Sequence, residues 1–383
     1  MSPQGRTRTV GVPTEVKPDE HRVAITPDGV RELRHRDVHV LVQSGAGEGA
    51  SLVDDRYEAA GAEIVEDPAQ LWERSDVVCK VKEPLPEEFA HFREDLVLFT
   101  YLHLAAYPEV ASALLAAGTT AVAYETVQTG EGALPLLAPM SEVAGRMSIQ
   151  IGAHFLERHN GGRGILLGGA PGVRPARVAV LGAGNVGWNA AWMAAGLEAQ
   201  VDVLDRNVDR LRWIDQIQMG RITTLASNRG QVERTVEAAD LVIGAVLVPG
   251  GRAPVVVSAE MVASMKPGSV VVDIAIDQGG CIETSRETTH HDPTFVHEGV
   301  IHYCVGNIPG AVPHTSTYAL TNVTLPYLAE LAATGVRDAT ATDPALALGV
   351  NTAAGAVVNP AVAEALGVGY VAPVSYTHLT LPT

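Results

Sequence analysis

Residues 178–205, VAVLGAGNVGWNAAWMAAGLEAQVDVLD, combine a buried strand, a glycine turn, an apolar helix and a second strand ending in a carboxylate. That order is one βαβ unit. Val178 to Leu181 is a mostly β-branched run, and Gly182-Ala183-Gly184-Asn185-Val186-Gly187 fits G-x-G-x-x-G ahead of an alanine-rich helix. In such a turn the first glycine makes the tight bend and the second admits a pyrophosphate to the backbone. The third brings helix and strand together, and the helix N-terminus offers N–H groups to the phosphates. Asp205 follows Gly187 by eighteen residues, at a strand end where a carboxylate accepts hydrogen bonds from both hydroxyls of an adenosine ribose. A glycine-rich turn in an α/β sheet can also bind nothing, but the strand before, the helix after and the acid at this distance together point to a dinucleotide.

At 383 residues the chain is long enough for two domains, each with its own core. From Thr9 to about Gln128, β-rich runs (TVGVP, VHVLV, DVVCKVK, LVLFTYL, TAVAYETV) alternate with helical stretches (PDGVRELRHRD, DRYEAAGA, PAQLWERS, PEVASALLAAG). This alternation predicts a second parallel sheet ahead of the nucleotide fold. A helical pattern from about Ala138 to His159 precedes the fingerprint, and another from about Thr315 to Ala333 follows the last nucleotide-domain strand. The expected fold is therefore α/β, with two doubly wound parallel-sheet domains. A Rossmann domain over 138–309 is inserted into a discontinuous domain formed by 8–137 and 310–373, with the active site in the cleft between them. The final SYTHLTLPT continues no earlier pattern, so 374–383 reads as a frayed or non-native tail.

Charge narrows the partners. A formal net charge of −17 repels phosphate backbones and anionic lipid, so neither nucleic acid nor a membrane surface is expected, and a small anion requires a local cationic pocket. Cys79, Cys281 and Cys304 are odd in number and lack a C-x-x-C, which speaks against a disulfide framework and a zinc site. The N-terminus has no apolar signal core, and no apolar run reaches the ~18 residues of a membrane span; a cytoplasmic protein is expected. Within the first domain, Arg22, Lys82 and His103 are polar groups in apolar settings, which costs free energy unless each finds a partner. Asp277 closes VVVDIAID ahead of Gln278-Gly279-Gly280. Each also has a structural explanation: Lys82 can pair with Glu83, Arg22 with Glu15 or Glu20, and Asp277 can cap a turn.

From about residue 8 to residue 370 the chain resembles the alanine dehydrogenase family. The resemblance is carried by GVPTEVKPDEHRVAITP, GAGEGA, KVKEP, FTYLHLAA, AYETVQ, LPLLAPMSEVAGR, GGAPGV, GAGNVG, DLVIGAVLVPG, MKPG, VVDIAIDQGG and TSTYALTNVTLPY. It implies that Arg22 and Lys82 hold the substrate carboxylate and carbonyl, with His103 and Asp277 as the proton-handling pair. For the cofactor, NAD, it implies Ser141, Gly182, Gly184, Asn185, Val186, Gly187, Asp205, Arg210, Ser227, Val246 and Leu247. It adds Ile274, Ala275, Ile276 and Asp277, Arg286, and the turn Val305, Gly306, Asn307 and Ile308. It also implies a homohexamer acting on L-alanine, pyruvate and ammonia. The sequence departs from the family at Thr334, where some members carry a histidine that completes a magnesium site with the equivalent of Glu330, so no metal is expected. Ile308 stands where a methionine is common, and Arg206 where an apolar residue is frequent.

The residue types suit that chemistry. Oxidation of L-alanine at Cα leaves an imine, water adds to give a carbinolamine, and this collapses to pyruvate and ammonia. A guanidinium clamps a carboxylate in the plane, an ammonium stabilises a developing carbonyl oxygen, and an imidazole moves protons near neutral pH. A 2′-phosphate facing Asp205 meets repulsion of up to ~4 kcal/mol per unit pair at an effective dielectric of 20, which favours NAD over NADP. The alternative reading is the NAD(H)-binding component of a proton-translocating transhydrogenase, which shares the architecture and fingerprint; the substrate constellation and DIAIDQGG favour the dehydrogenase.

Overall fold

The computed structural model describes residues 8–246 and 253–372. These divide into two compact units: the described residues of 1–139 with those of 312–383, and those of Met140–Ala311. Each unit is built on its own sheet.

The first unit carries β1 (Thr9–Val12), β2 (His39–Gln43), β3 (Glu63–Val65), β4 (Val77–Cys79), β5 (Val97–Thr100) and β6 (Thr120–Ala123). All pair in parallel, in the order β3-β2-β1-β4-β5-β6. The second unit repeats that plan with β7 (Arg177–Leu181), β8 (Gln200–Asp205), β9 (Ile222–Ala226), β10 (Leu241–Gly244), β11 (Val270–Asp273), β12 (Thr294–His297) and β13 (Val300–Tyr303). Its order is β9-β8-β7-β10-β11-β13-β12, parallel except for the antiparallel edge strand β12. Each sheet thus reverses its winding once, between β1 and β4 in the first unit and between β7 and β10 in the second. In open α/β sheets, ligands bind beyond the carboxyl ends of the strands at such a reversal.

Composition explains the form. Strands covered on both faces are apolar at most positions, and β4, β5, β6, β10, β11 and β13 are buried throughout. The helices that cover them start on sequence signals. Pro27–His35 has Thr26 as N-cap, its side chain accepting from the Gly29 amide, with Pro27 at the first position and Asp28 in the first turn. Its buried Val30 and Leu33 face the core. The long helices Ala138–Phe155 and Pro313–Thr334 lie where the 3.6-residue pattern places them.

Four features depart from the sequence expectation. β3 is a three-residue edge strand, too short for a period, and was missed. β12 was also missed, because only half of its residues are even partly buried. The C-terminal segment adds the hairpin β14 (Val350–Ala353) and β15 (Ala356–Val357), strands too short to read as a period in the sequence, with β14 antiparallel to β6. The side-chain oxygens of its buried Asn351 and Thr352 find partners: Thr126 Oγ1 donates to Asn351 Oδ1 at 2.8 Å, and Thr352 Oγ1 to the Thr119 carbonyl at 3.0 Å. Finally, VVVDIAID is not a strand to its end. β11 stops at Asp273, and Ile274–Gln278 is a 3₁₀ turn that Asp273 caps through the Ala275 amide.

Candidate active site

In the first unit the polar residues singled out by sequence gather past the carboxyl ends of β1, β4 and β5. Arg22 sits in the connection between β1 and the helix Pro27–His35. That segment is pinned by the Val23 amide donating to Thr317 Oγ1 (3.2 Å) and by Tyr57 Oη donating to the Ile25 carbonyl (2.8 Å). The Arg22 guanidinium is buried and donates through Nε to Glu20 Oε1 at 2.7 Å and through Nη2 to Glu20 Oε2. Burial pulls the guanidinium down, but the hydrogen bonds and charge of Glu20 more than offset it, so its pKa stands above the ordinary arginine range. The pairing offered by sequence as a structural alternative is therefore real, and it fixes the orientation of a cation.

Lys82 follows β4. Its Nζ lies 3.5 Å from Glu83 Oε2, and its side chain keeps 13% exposure. Glu83 is fully enclosed and is also ion-paired with Lys17. Burial pushes the Glu83 carboxyl up, but Lys82, Lys17 and the nearby His103 pull it further down, below its usual range. Lys17 additionally reaches Tyr107 Oη at 3.2 Å.

His103 follows β5 with a positive φ of 47°, a conformation few non-glycine residues adopt. The surroundings hold it there. Glu125 Oε1 accepts the Leu102 and His103 amides at 3.2 and 2.6 Å, and the His103 carbonyl accepts from the Ala106 and Tyr107 amides at 2.8 and 3.1 Å. The imidazole stacks on Tyr101, with centroids 5.6 Å apart and planes within 7°. Such strain persists where a structure over-determines it, commonly at functional sites. Glu125 and Tyr101 were not found by sequence; nothing in their spacing from His103 signals them.

The second unit gathers the candidate nucleotide residues along the carboxyl edge of its sheet. Gly182 ends β7 with φ 103°, and a Cβ there would lie 2.5 Å from the Ala245 carbonyl oxygen, at the strand-order reversal. At Gly187 a Cβ would lie 1.8 Å from the Gly182 oxygen, so only glycine lets the helix Asn185–Gly196 approach β7 this closely. At Gly184 the nearest atom to an added Cβ is Arg210 Nη1 at 3.2 Å, which puts a cation beside the turn. Gly184 is also the N-cap of the helix and supplies no side-chain cap. A backbone with no side chain over it, free N–H groups at a helix start and an arginine alongside fit the pyrophosphate of a dinucleotide.

Asp205 ends β8 and has a structural role of its own. Its two oxygens accept the Ala183 amide at 2.6 Å and the Asn207 amide at 2.7 Å, tying the glycine turn to the strand end. Arg206 is exposed beside it. Ser227 follows β9 and donates its amide to the Asp205 carbonyl at 2.9 Å, and Val246 follows β10. Ser141 stands in the first turn of the helix Ala138–Phe155. Leu247 lies outside the described residues, as does the SYTHLTLPT tail.

The Ile274–Gln278 turn presents Asp277 exposed, not at a strand end as expected but on a 3₁₀ turn; Ala275 and Ile276 are buried and Ile274 half-buried. Asp273, which sequence passed over, builds this turn. It is buried and accepts the Ala275, Cys281 and Ile282 amides at 3.1, 3.0 and 3.2 Å. Gly306 packs where a Cβ would come 2.9 Å from Asp277 Oδ1. Val305 and Ile308 are buried, and Asn307 has φ 55°. The Arg286 guanidinium lies over the Phe295 ring at 4.2 Å. Thr334 donates its hydroxyl to the Glu330 carbonyl at 2.9 Å, and among the described residues no three His, Cys, Asp or Glu side chains are grouped to hold a metal ion. No helix among them is long and apolar enough to cross a membrane.

A Rossmann unit with this turn, joined in one chain to a second doubly wound unit, is the architecture of a nucleotide-binding protein. Residues 11–144 match the model of the alanine dehydrogenase/PNT N-terminal domain, and 148–360 that of its C-terminal domain. The chain is 57% identical over 357 residues to an alanine dehydrogenase of Mycolicibacterium smegmatis, covering 93% of this chain and 96% of that one. It is 56% identical over 363 residues to one of Bacillus subtilis, covering 94% and 96%. Among solved structures it superposes on an L-alanine dehydrogenase with a TM-score of 0.91 at 50% identity, over 94% of this chain and 99% of that one. A transhydrogenase from Sinorhizobium meliloti follows at 0.78 and 26%, over 92% and 100%. The chain belongs to the alanine dehydrogenase/PNT family.

Proposed function

We propose that this protein catalyses the reversible, NAD-dependent oxidative deamination of L-alanine: L-alanine, NAD⁺ and water give pyruvate, ammonium, NADH and a proton. The observation that carries this reading is the set Arg22, Lys82 and His103 beyond β1, β4 and β5, in a chain 50% identical to a solved L-alanine dehydrogenase and only 26% identical to the transhydrogenase.

The cofactor would be held by the Gly182–Gly187 turn, Arg210 and the Asp205 carboxylate, and the family resemblance adds Ser141, Ser227, Val246, Leu247, the Ile274–Asp277 turn, Arg286 and Val305–Ile308. When bound, the cofactor would supply the acceptor for the hydride of alanine Cα. The remaining work falls to the chain's own residues. Arg22, aimed by Glu20, takes the substrate carboxylate in a planar, charge-assisted contact. Lys82 stabilises the oxygen that becomes the pyruvate carbonyl. His103 takes a proton from the attacking water and returns it to the departing nitrogen, its ring oriented by the Tyr101 stack and its backbone by Glu125. Asp277 is the second proton-handling group. The family resemblance supports a homohexamer.

The test is direct: purified protein mixed with L-alanine and NAD at mildly alkaline pH forms NADH and pyruvate in equal amounts. NADH production absent with L-alanine refutes the reading.

A further inference from the structure

The loop after β4 is held by a set of buried charges that the reaction itself does not use. Glu15, three residues past β1, sits with its side chain 3% exposed between the ends of β1 and β4. Its Oε1 accepts the Val81 amide at 2.6 Å and its Oε2 the Lys82 amide at 3.3 Å. Lys80 is wholly buried, with Nζ 3.3 Å from Glu15 Oε2 and 2.8 Å from Glu88 Oε1. These contacts are ionic rather than aligned hydrogen bonds. The other Glu88 oxygen accepts the Leu85 amide at 2.9 Å, where the 3₁₀ helix Pro86–His91 begins. On the other backbone group of Lys82, Thr100 Oγ1 donates to the carbonyl at 3.0 Å.

We propose that Glu15, anchored by Lys80, is the positioning residue for Lys82: it fixes the backbone from which the Lys82 ammonium reaches the substrate oxygen. The proposal rests on the reading of Lys82 as a substrate contact. A lysine side chain has four rotatable bonds, so its charge is placed well only if its Cα is immobile and its rotamers are restricted. Glu15 and Thr100 grip the Lys82 N–H and C=O, and Glu83 restrains the ammonium at 3.5 Å. Lys80 has no route to a ligand of its own, since it is fully enclosed. Its charge keeps two carboxylates in the interior, each of which holds loop amides.

The charge balance supplies a clean variant. Glu15 and Glu88 carry two negative charges against the one of Lys80, so Glu15→Gln leaves Lys80 and Glu88 as a matched pair and orphans no buried charge. The amide has one accepting oxygen in place of two, so one of the two loop amides loses its partner. The expected result is a folded enzyme whose pyruvate KM rises at least ~10-fold, as misplacement of a catalytic group does, while the NADH KM stays at the parental value. In a Lys82→Ala background, Glu15→Gln adds no further loss.

A fall in kcat with both KM values unchanged marks a lowered active fraction and overturns the positioning role. So does a full, independent loss in the Lys82→Ala background. Parental pyruvate use by Lys82→Ala alone overturns the assignment of Lys82 itself, and the proposal with it. If Glu15→Gln does not fold, Glu15→Asp keeps the charge for Lys80 while drawing both oxygens back by one methylene. The same selective rise in pyruvate KM is expected, and parental kinetics in the folded Asp variant overturn the proposal.

Discussion

Removing Arg22 should separate its proposed role at the substrate from the role the structure shows, pairing with Glu20. The guanidinium is 2% exposed and its partner Glu20 is fully enclosed, joined by hydrogen bonds from Nε and Nη2. Arg22→Ala therefore deletes the proposed substrate cation and takes from the buried Glu20 carboxylate its guanidinium, leaving the residue-22 amide still donating to Glu20 Oε1. Breaking a buried pair by removing one member costs about 3–5 kcal/mol. At ~2–4 °C per kcal/mol for a domain of this size, the first unit should melt about 6–20 °C lower. The double variant Glu20→Gln/Arg22→Met removes the charge along with its partner and fills much of the volume, so most of that loss should return. Pyruvate use should not return, because neither new side chain carries a positive charge. Thermal melting followed by circular dichroism, with steady-state pyruvate kinetics on the same samples, reads both effects. An Arg22→Ala protein that melts like the parent refutes the energetic reasoning about Glu20. A double variant with parental pyruvate kinetics refutes the assignment of Arg22 to the substrate.

His103→Ala should fold and still bind NADH and pyruvate while losing at least ~10²-fold in turnover; parental turnover across the pH range removes His103 from the chemistry. NAD should exceed NADP by at least ~10-fold in kcat/KM, since a 2′-phosphate faces the Asp205 carboxylate, and comparable use of both cofactors shows that the exposed Arg206 sets the choice. Because Asp205 also holds the Ala183 and Asn207 amides, Asp205→Gly should weaken NADH binding as well as narrow that ratio; narrowing with NADH affinity intact, measured by fluorescence titration, contradicts the dual role. The Glu83 carboxyl is held below its ordinary range in the folded protein, so its contribution to stability is complete above the unfolded pKa of about 4.3 and is lost as pH falls through the folded value. Lys17→Met removes part of that depression, so its deficit in melting temperature should be largest near pH 7 and should shrink below about pH 4. A deficit independent of pH assigns Lys17 a packing role only.

The second unit was legible in the sequence because its instructions are local. A parallel strand buried on both faces reads as an unbroken apolar run, and the turn Gly182–Gly187 must be glycine where a Cβ would strike the Ala245 or Gly182 oxygen. Strand, turn, helix and acid all fall within residues 178–205, so spacing along the chain is also spacing in space. The first unit was legible as alternating strands and helices, and its charged residues stood out against apolar neighbours.

What the sequence could not decide were the partnerships made across the fold. Arg22 had two candidate carboxylates nearby, and only the turn of the chain assigned it Glu20. Lys80 and Lys82 are two positions apart in KVKEP, yet one is sealed between Glu15 and Glu88 and the other retains access to solvent. Glu15 and Glu125 grip segments 66 and 22 residues away, respectively. Asp273 rather than Asp277 proved to be the cap. The reason is common to all of them: burial decides the energetic cost of a charge and therefore which partner it must have, and burial at the end of a strand is set by elements far away in sequence. An apolar period is written into each segment separately, whereas the pairing of a buried charge exists only after the strands have found their order.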